Sequence, residues 1–165
     1  MSSNYPIRQG TLEDLETIVT HRRAMFREMG YPDEAALGKM SEAFRPWLEQ
    51  KMRSGEYLAW FAVDAESAIA AGVGLWLMDW PPHMIGPGAR RGNILNVYTR
   101  PESRRMGHAR RLMDAALDWC RLQGVSTVIL HASPAGRPLY ESMGFESTNE
   151  MRVAVSVNSS DSSVV

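Results

Sequence analysis

Apolar residues follow two patterns along this chain, a helical period of three to four residues and nearly continuous runs. The helical period predicts long helices over 12–29 and 34–53 and a third beginning near Gly107. Two continuous runs, 57–65 and 68–78, favour an antiparallel hairpin of largely buried strands. Further strands are predicted at 5–9, 93–99, 127–132 and 151–157, and a short helix at 138–143. Helices and strands in this order indicate an α/β domain.

Local signals indicate where these elements begin and end. Thr11, with Asp14 three residues later, forms a capping box for the first helix, and the stretch 30–33 breaks that helix. Pro46 lies inside the second helical pattern, which either continues through it or divides there. The Pro- and Gly-rich stretch 79–92 predicts a long loop, and such loops in compact domains are usually functional or disordered.

Composition restricts the class of protein. With 165 residues and 44% hydrophobic residues, the sequence predicts one domain over 1–157 and a polar, mobile tail over 158–165. The net charge of -1 leaves no broad basic surface for nucleic acid. The single cysteine, Cys120, excludes a disulfide or a cysteine zinc site within the chain and is expected in the core. Without a recognisable signal peptide or spanning helix, we expect a cytoplasmic protein with no metal, nucleic-acid or membrane partner.

The most informative stretch, 97–112, passes from a strand through a basic loop into a helix. Pro101 disfavours helix at the residue before it, and Gly107 lies where the helical period begins. The first amides of a helix lack intrahelical partners and lie at the positive end of its dipole, so a phosphate there accepts several N–H bonds. Cations are unfavourable at this end unless an anion offsets them, which predicts a site for a polyanionic small molecule. The basic cluster comprises Arg104, Arg105, Arg110 and Arg111.

Two segments together resemble the GNAT superfamily of acyl-CoA-dependent N-acetyltransferases. The family signature Arg/Gln-x-x-Gly-x-Gly/Ala matches Arg104, Gly107 and Ala109, and its later Leu-Tyr-x-x-x-Gly-Phe segment matches 139–145. The opening, 7–15, is similar to the first strand and helix start of the family, so the resemblance covers about residues 5–157. It implies a central mixed, mostly antiparallel sheet flanked by helices, with acetyl-CoA as cosubstrate.

The resemblance also implies which residues bind acetyl-CoA. The pantetheine arm is expected on the main chain of the strand before the corner, and the pyrophosphate on the corner amides. The implied residues are Val97, Tyr98, Thr99, Arg104, Arg105, Met106, Gly107, His108, Ala109 and Arg110. Many relatives place an Asn before the tyrosine, where this chain has 133–136. Ser133 and Arg137 are the available substitutes, although Ser133 is equally well explained as a helix cap.

Tyr140 is the candidate catalytic residue. When an amine attacks a thioester the leaving group is a thiolate, and a tyrosine hydroxyl with a reference pKa near 10 can protonate it. Several relatives carry a glutamate on the strand before the corner, but this chain has none there. The general base therefore stays open among Asp79, His83, His131, a water, or an amine that arrives neutral.

The substrate side is expected among the first two helices and the 79–92 loop. Arg22 falls on the apolar stripe of the first helix, which is unusual for arginine unless its stem snorkels or its head meets a carboxylate. Trp80 and His83 are the loop candidates. The identity of the amine, a small molecule or a peptide, stays open, as does the oligomeric state, for which a homodimer is the commonest closed assembly.

Two other functions remain open at this point. A noncatalytic acyl-CoA-binding or sensor domain on the same fold is favoured by the missing strand glutamate and opposed by Tyr140. A nucleotide-binding module is opposed because the chain has neither a Gly-x-x-x-x-Gly-Lys-Ser/Thr loop nor a Gly-x-Gly-x-x-Gly run.

Overall fold

Five strands form one sheet, with helices on both of its faces, in a computed structural model that describes residues 5–157. The strands are β1 (Ile7–Gln9), β2 (Tyr57–Val63), β3 (Ile69–Asp79), β4 (Arg90–Thr99) and β5 (Val128–Leu130). The helices are α1 (Leu15–Glu28), α2 (Glu34–Arg53), α3 (His108–Leu122) and α4 (Arg137–Ser142), with single 3-10 turns at Leu12–Asp14 and Pro101–Ser103. The strand order is β1-β2-β3-β4-β5; neighbours are antiparallel except for β4 and β5, which are parallel. This confirms the predicted mixed, mostly antiparallel sheet.

Alternation of side chains along β2 divides the core between the two faces of the sheet. On one face, Trp60 and Ala62 pack with the apolar side of α3, which includes Leu112 and the buried Cys120. On the other face, Phe61 packs with α1 and α2. Burial raises the pKa of the Cys120 thiol to about 11, as expected of an inert core thiol.

The predicted positions of the main helices and of the β2–β3 hairpin are confirmed, including α2 from Glu34 to Arg53 without a break at Pro46. The Pro46 ring is exposed on the outer side of α2, whereas Phe44 and Leu48 are buried against the sheet on the inner side. Packing of the inner face keeps α2 continuous at Pro46, which has no main-chain N–H to donate.

Several predicted strands differ from the structure at their ends, among them β1, which begins at Ile7 rather than at 5, and β2, which ends at Val63 rather than at 65. β4 begins at Arg90 rather than at 93, because its first residues pair with Met78 and Asp79 of a longer β3, and β5 ends at Leu130 rather than at 132. The strand predicted at 151–157 is wrong for the described chain, since this segment has no regular secondary structure and lies exposed, away from any strand partner. The predicted tail, 158–165, and residues 1–4 of the predicted domain lie outside the described residues.

The chain enters α1 through a buried carboxylate. Asp14 accepts hydrogen bonds from the Thr11 amide (2.8 Å) and from both terminal nitrogens of Arg8 (2.7 and 2.8 Å). The capping box of Thr11 and Asp14 is therefore confirmed, and it closes a 3-10 turn that leads into the helix. These hydrogen bonds, that from Arg8 foremost, hold the pKa of the Asp14 carboxyl below its ordinary value of 3.8 despite its burial.

We expect Asp14→Asn to lower the free energy of unfolding at neutral pH by about 1–2 kcal/mol, because charged hydrogen bonds are lost but Arg8 is partly in water. The lowered pKa means that this contribution is present above the unfolded pKa near 4 and disappears as the pH falls through the folded value. Urea titrations of both proteins should therefore converge as the pH falls below the lowered pKa of Asp14.

Glu16→Gln is the matched control, since Glu16 pairs with Arg45 at the exposed surface. Its loss should be smaller than that of the Asp14 variant. Equal losses in the two variants, or a deficit of Asp14→Asn that persists unchanged in acid, would contradict the assignment.

Candidate functional site

A cleft opens where β4 and β5 stop pairing. The last paired residues are Ile94 and Leu130, after which β4 continues to Thr99 while β5 ends. Arg100 donates its main-chain N–H to Ala70 on β3 (2.9 Å). Alternation along the strand therefore turns the main-chain groups of Thr99, and of Val97 two residues before it, toward the cleft. Both residues lie where the sequence predicts pantetheine-binding main chain.

A β-bulge interrupts β4 beside this cleft. The register with β3 shifts between Gly72 and Gly74, and Asn96 opposite the shift has a left-handed φ of 54°. Its side chain is buried, donating from Nδ2 to the Tyr57 hydroxyl (2.8 Å) and accepting from Arg22 Nη1 (2.8 Å). A Cβ on Gly74 would lie 2.0 Å from the Tyr57 hydroxyl oxygen, so only glycine leaves room for this polar chain.

Arg22 enters this polar chain without a counter-ion. Its guanidinium lies between the rings of Phe26 (4.9 Å) and Phe44 (4.6 Å) and forms no salt bridge within residues 5–157. Its Nε is buried without a hydrogen-bond acceptor. Burial lowers the pKa of Arg22 from its ordinary value, which reflects the cost of desolvating an unpaired cation. The guanidinium therefore has no anionic partner within residues 5–157.

The corner before α3 presents a row of unpaired amides. Gly107, with a φ of 80°, is the N-cap of α3, and Arg105 is also left-handed, with a φ of 62°. The first main-chain bond at this end runs from the Arg111 amide to the Gly107 carbonyl (3.2 Å), so the amides from 105 to 110 have no acceptor in the described chain. Successive free amides around left-handed residues form a concave anion site at the positive end of the helix dipole.

The predicted corner residues differ in how far their side chains are exposed. The side chain of His108 is turned inward, 2% exposed and stacked on Tyr5 at 4.8 Å between ring centroids, and burial lowers its pKa. Its main-chain amide alone is available to a ligand. Met106 is half-buried, and Ala109 lies in the first turn of the helix.

The four arginines of the corner differ in their partners. Arg105 is exposed and has no hydrogen-bond partner among residues 5–157. Arg111 donates to the main-chain carbonyl of Tyr5 (2.8 Å), so it contacts the segment before β1 rather than the corner. Arg110 donates to Ser142 of α4. Arg104 donates to the Thr99 carbonyl (3.1 Å) and forms a salt bridge with Glu28, at the end of α1.

Tyr98 belongs to the same contact with α1. Its hydroxyl donates to Glu28 (3.3 Å), and its ring lies 4.9 Å from that of His21. Burial, with a smaller contribution from Arg100, lowers the pKa of His21 to about 4, so this histidine is neutral at physiological pH and a weak base. Sequence reasoning missed both Tyr57 and His21. The sequence did carry a signal for each of them. His21 is a polar residue on the apolar face of α1, and Tyr57 is the first residue of the apolar strand β2.

Tyr140 lies on α4, beyond the end of β5. Its ring packs edge-on against Phe145 with centroids 6.0 Å apart, and its hydroxyl has no hydrogen-bond partner among the described residues. Burial raises the pKa of Tyr140, which keeps the hydroxyl protonated and able to donate at neutral pH. A Cβ on Gly136 would lie 2.9 Å from the Tyr140 ring, so this glycine allows the ring to pack over the preceding turn.

Ser133 and Arg137 are engaged by neighbouring residues of the same loop and helix. The Ser133 hydroxyl accepts from the Gly136 amide (3.2 Å) in the turn before α4. The N-cap of α4 is Gly136, so Ser133 is not the helix cap that the sequence offered as an alternative. Arg137 is exposed and donates to Ser147 (3.2 Å). Neither makes a contact with the corner before α3.

Trp80 and His83 are separated from the corner by the length of β4. The loop that carries them, 80–89, leaves β3 at the end of β4 opposite Thr99, about 30 Å away along the strand. There the Arg91 guanidinium lies 3.8 Å above the Trp80 ring. His83 forms a main-chain bridge with Gly86, and its Nδ1 accepts from the Ile85 amide (3.2 Å). The role of this loop on the substrate side stays a prediction, because the amine is expected at the thioester rather than at the phosphate corner.

The other two candidate bases are both exposed and lie at opposite ends of the sheet. Asp79 is the exposed last residue of β3, at the same end of the sheet as the 80–89 loop. His131 follows β5, with a side chain that is 76% exposed and 3.8 Å from Glu150. The short β5 ends before His131 and leaves it in water.

Within residues 5–157, no helix combines the length and apolar character needed to cross a bilayer. The same stretch contains no group of three or more His, Cys, Asp or Glu side chains arranged to hold a metal ion.

Several known proteins similar to this chain are acetyltransferases. The family model described as acetyltransferase (GNAT) family matches residues 16–145. A crystal structure of a GCN5-related N-acetyltransferase from Ralstonia eutropha is 38% identical, with a TM-score of 0.86 over 91% of this chain and 97% of that one. A predicted acetyltransferase from Clostridium acetobutylicum, crystallised with acetyl-CoA, is 24% identical, with a TM-score of 0.82 over 91% and 95%.

More distant structures share the fold alone, among them glucosamine-6-phosphate N-acetyltransferase from Arabidopsis thaliana, at 19% identity and a TM-score of 0.60 over 91% of this chain and 98% of that one. No protein of curated function matches the chain. The family match spans most of the chain, including β4, the corner and Tyr140. The chain therefore belongs to the GNAT family and is an acetyltransferase.

Proposed function

We propose that this acetyltransferase moves the acetyl group of acetyl-CoA to a primary amine by direct attack on the thioester. The observation that carries the proposal is the row of unpaired amides before α3, next to the opening between β4 and β5. The pyrophosphate rests on the amides from 105 to 109, and the pantetheine arm bonds to the main chain of Val97 and Thr99 in place of the missing β5 pairing. Arg105 reaches the phosphates directly, whereas Arg104 has to leave Glu28 to do so.

The reaction then needs one proton donor from the protein. The amine nitrogen forms a bond to the acetyl carbon, the carbon–sulfur bond breaks, and Tyr140 gives its phenolic proton to the CoA thiolate. The amine arrives neutral and passes its proton to solvent, since β4 offers Asn93 and Asn96 rather than a carboxylate. Solvent then reprotonates Tyr140, whose raised pKa favours the neutral hydroxyl.

The general test is a panel of amines, scored by release of the free CoA thiol. Production of the thiol that depends on an amine supports the proposal. A chain that binds acetyl-CoA but turns over no amine would contradict it.

We expect Tyr140→Phe to lower kcat by about 100-fold to 10,000-fold, because the thiolate leaves without an acid. The dissociation constant for CoA should not change, since the ring and its packing on Phe145 remain. Steady-state kinetics and calorimetric titration with CoA measure the two effects. Tyr31→Phe, at an exposed tyrosine of the α1–α2 connection, is the control that keeps full activity. Unchanged turnover in Tyr140→Phe would remove Tyr140 from the mechanism.

Gly107→Ala tests the phosphate corner, and Gly124→Ala at the other end of α3 is its matched control. Both glycines have positive φ, and an added Cβ meets no other residue within 4 Å at either one. Each variant should therefore lose about 1 kcal/mol of stability from the left-handed backbone. Only Gly107→Ala should weaken CoA binding, by about tenfold, because its Cβ intrudes where the phosphate approaches.

The two glycine variants are compared by thermal melting and by titration with CoA. Equal CoA affinities in the two variants would place the pyrophosphate elsewhere.

We further propose that the acceptor amine carries a carboxylate, which pairs with Arg22. The desolvated guanidinium has no anion in the described chain, and a buried charge without a partner is costly unless a ligand supplies one. Asn96 joins Arg22 to the bulge of β4, beside the main chain that receives the pantetheine arm. A carboxylate on Arg22 therefore directs the rest of a small acceptor toward the thioester.

Pairs of amines that differ only as free acid and amide test this recognition. The wild-type enzyme should prefer the acid by at least about tenfold in kcat/KM, and Arg22→Gln should lose the preference while it retains CoA binding and activity on the amide. Arg23→Gln is the control on the next residue of α1, since Arg23 pairs with Glu34 at the surface. If the wild-type enzyme has the same kcat/KM for the acid and for the amide, the carboxylate assignment is wrong. Acetyl transfer to amines would still stand, because both acceptors react.

A further inference from the structure

A small cavity lies beneath the β-bulge, between α1, β2, β3 and β4. Its volume is about 10 Å³, which is close to the smallest space that holds one water molecule. Three of the residues around it, His21, Tyr57 and Asn96, carry polar side chains that are 6%, 3% and 4% exposed. Dry cavities have apolar walls, whereas buried polar groups such as these need hydrogen-bond partners.

The hydrogen bonds beside this cavity have a direction that chemistry fixes. Arg22 can only donate, so the atom of Asn96 that faces it is the amide oxygen Oδ1 (2.8 Å). The Asn96 amide nitrogen therefore points to the Tyr57 hydroxyl (2.8 Å), whose oxygen has to accept. The proton of this hydroxyl is left for another acceptor, and no hydrogen bond within residues 5–157 uses it.

His21 carries an unused acceptor on the other side of the cavity. A Cβ on Gly72 would lie 3.3 Å from His21 Nδ1, and a Cβ on Gly74 would lie 2.0 Å from the Tyr57 hydroxyl oxygen. The two glycines are two residues apart on one face of β3, so their Cβ positions are roughly 7 Å apart. Burial lowers the pKa of His21 to about 4, and a neutral imidazole has one nitrogen free to accept.

We infer that one ordered water occupies this cavity, where it accepts a hydrogen bond from the Tyr57 hydroxyl and donates one to His21 Nδ1. The hydrogen bonds then run in a single direction, from Arg22 at one end to His21 at the other. Each donor in such a chain polarises the next, which strengthens the chain as a whole. Because Nδ1 accepts, the ring proton of His21 is on Nε2.

The water site gives His21 an influence on the cleft. Asn96 holds its left-handed φ of 54° one residue before Val97, whose main chain faces the cleft. Surrounding contacts have to hold a residue in this conformation, and the water ties the side chain of Asn96 to α1 through Tyr57. His21 is thus a positioning residue for the strand. This influence rests on the proposed pantetheine contact, whereas the water and the direction of the chain do not.

Magnetic relaxation dispersion of water oxygen counts the long-lived internal waters of the free enzyme. His21→Leu should bind one such water fewer than wild type, because leucine offers no acceptor. His21→Asn should retain it, because the asparagine Oδ1 takes about the place of Nδ1. His131→Leu, at a histidine that is exposed, is the matched control with the wild-type count.

NMR of the histidine rings in wild type is the second measurement, and it decides the question even if His21→Leu does not fold. The His21 proton should be on Nε2, and the Tyr57 hydroxyl proton should show a nuclear Overhauser effect to water. A His21 proton on Nδ1, a missing water contact, or an unchanged water count in folded His21→Leu would each overturn the inference.

Titration of the same variants with CoA tests the positioning. His21→Leu should weaken CoA binding by about fivefold, and His21→Asn should restore it, since one hydrogen bond is removed and replaced. Loss of the water with no change in CoA affinity would overturn the positioning role. Neither experiment measures turnover of an amine, so a failure of the proposed acetyl transfer would be seen separately.

Discussion

The separation of β4 from β5 after Ile94 and Leu130 is the constraint on which the rest of the site depends. A parallel pair that continued to Thr99 would use the main-chain groups that now face the cleft. Because β5 is short, the strand that leads into the corner keeps one side unpaired. The helix that follows the corner begins, like any helix, with unpaired amides. The two unpaired regions are continuous along the chain, which suits an extended ligand with an anionic end.

The β-bulge at Asn96 gives the other face of β4 a different character. With regular alternation, an apolar side chain of β4 would have faced α1 and α2 at this point. The extra residue of the bulge instead places the side-chain amide of Asn96 between the sheet and these helices. Burial of this amide requires partners, and Tyr57 and Arg22 provide them. Gly74 is needed for the same reason, since its missing side chain makes space for the tyrosine hydroxyl. Four positions far apart in the sequence are therefore linked by one insertion in a strand.

Much of this fold was predictable because its signals are local. α2 is bounded by Asp33 and Ser54, and its amphipathic period continues through Pro46, so pattern alone located it. The corner was predictable for the same reason, from Pro101 and Gly107. The placement of the 80–89 loop and the partners of Asn96 depend on strand register, which couples residues more than ten positions apart and has no local signal. The strand predicted at 151–157 was wrong, because alternation alone does not supply a neighbouring strand to pair with.

The salt bridge between Arg104 and Glu28 has a consequence for how the proposed CoA contact responds to ionic strength. If Arg104 binds a phosphate, it has to release the Glu28 carboxylate, so it exchanges one anionic partner for another. Arg111 is likewise committed to the Tyr5 carbonyl and lies partly buried, away from mobile ions. The net gain of charge contacts is thus smaller than the four arginines of the corner suggest, and added salt should weaken CoA binding correspondingly little. Shape and main-chain amides, rather than bulk positive charge, then dominate the affinity of this corner.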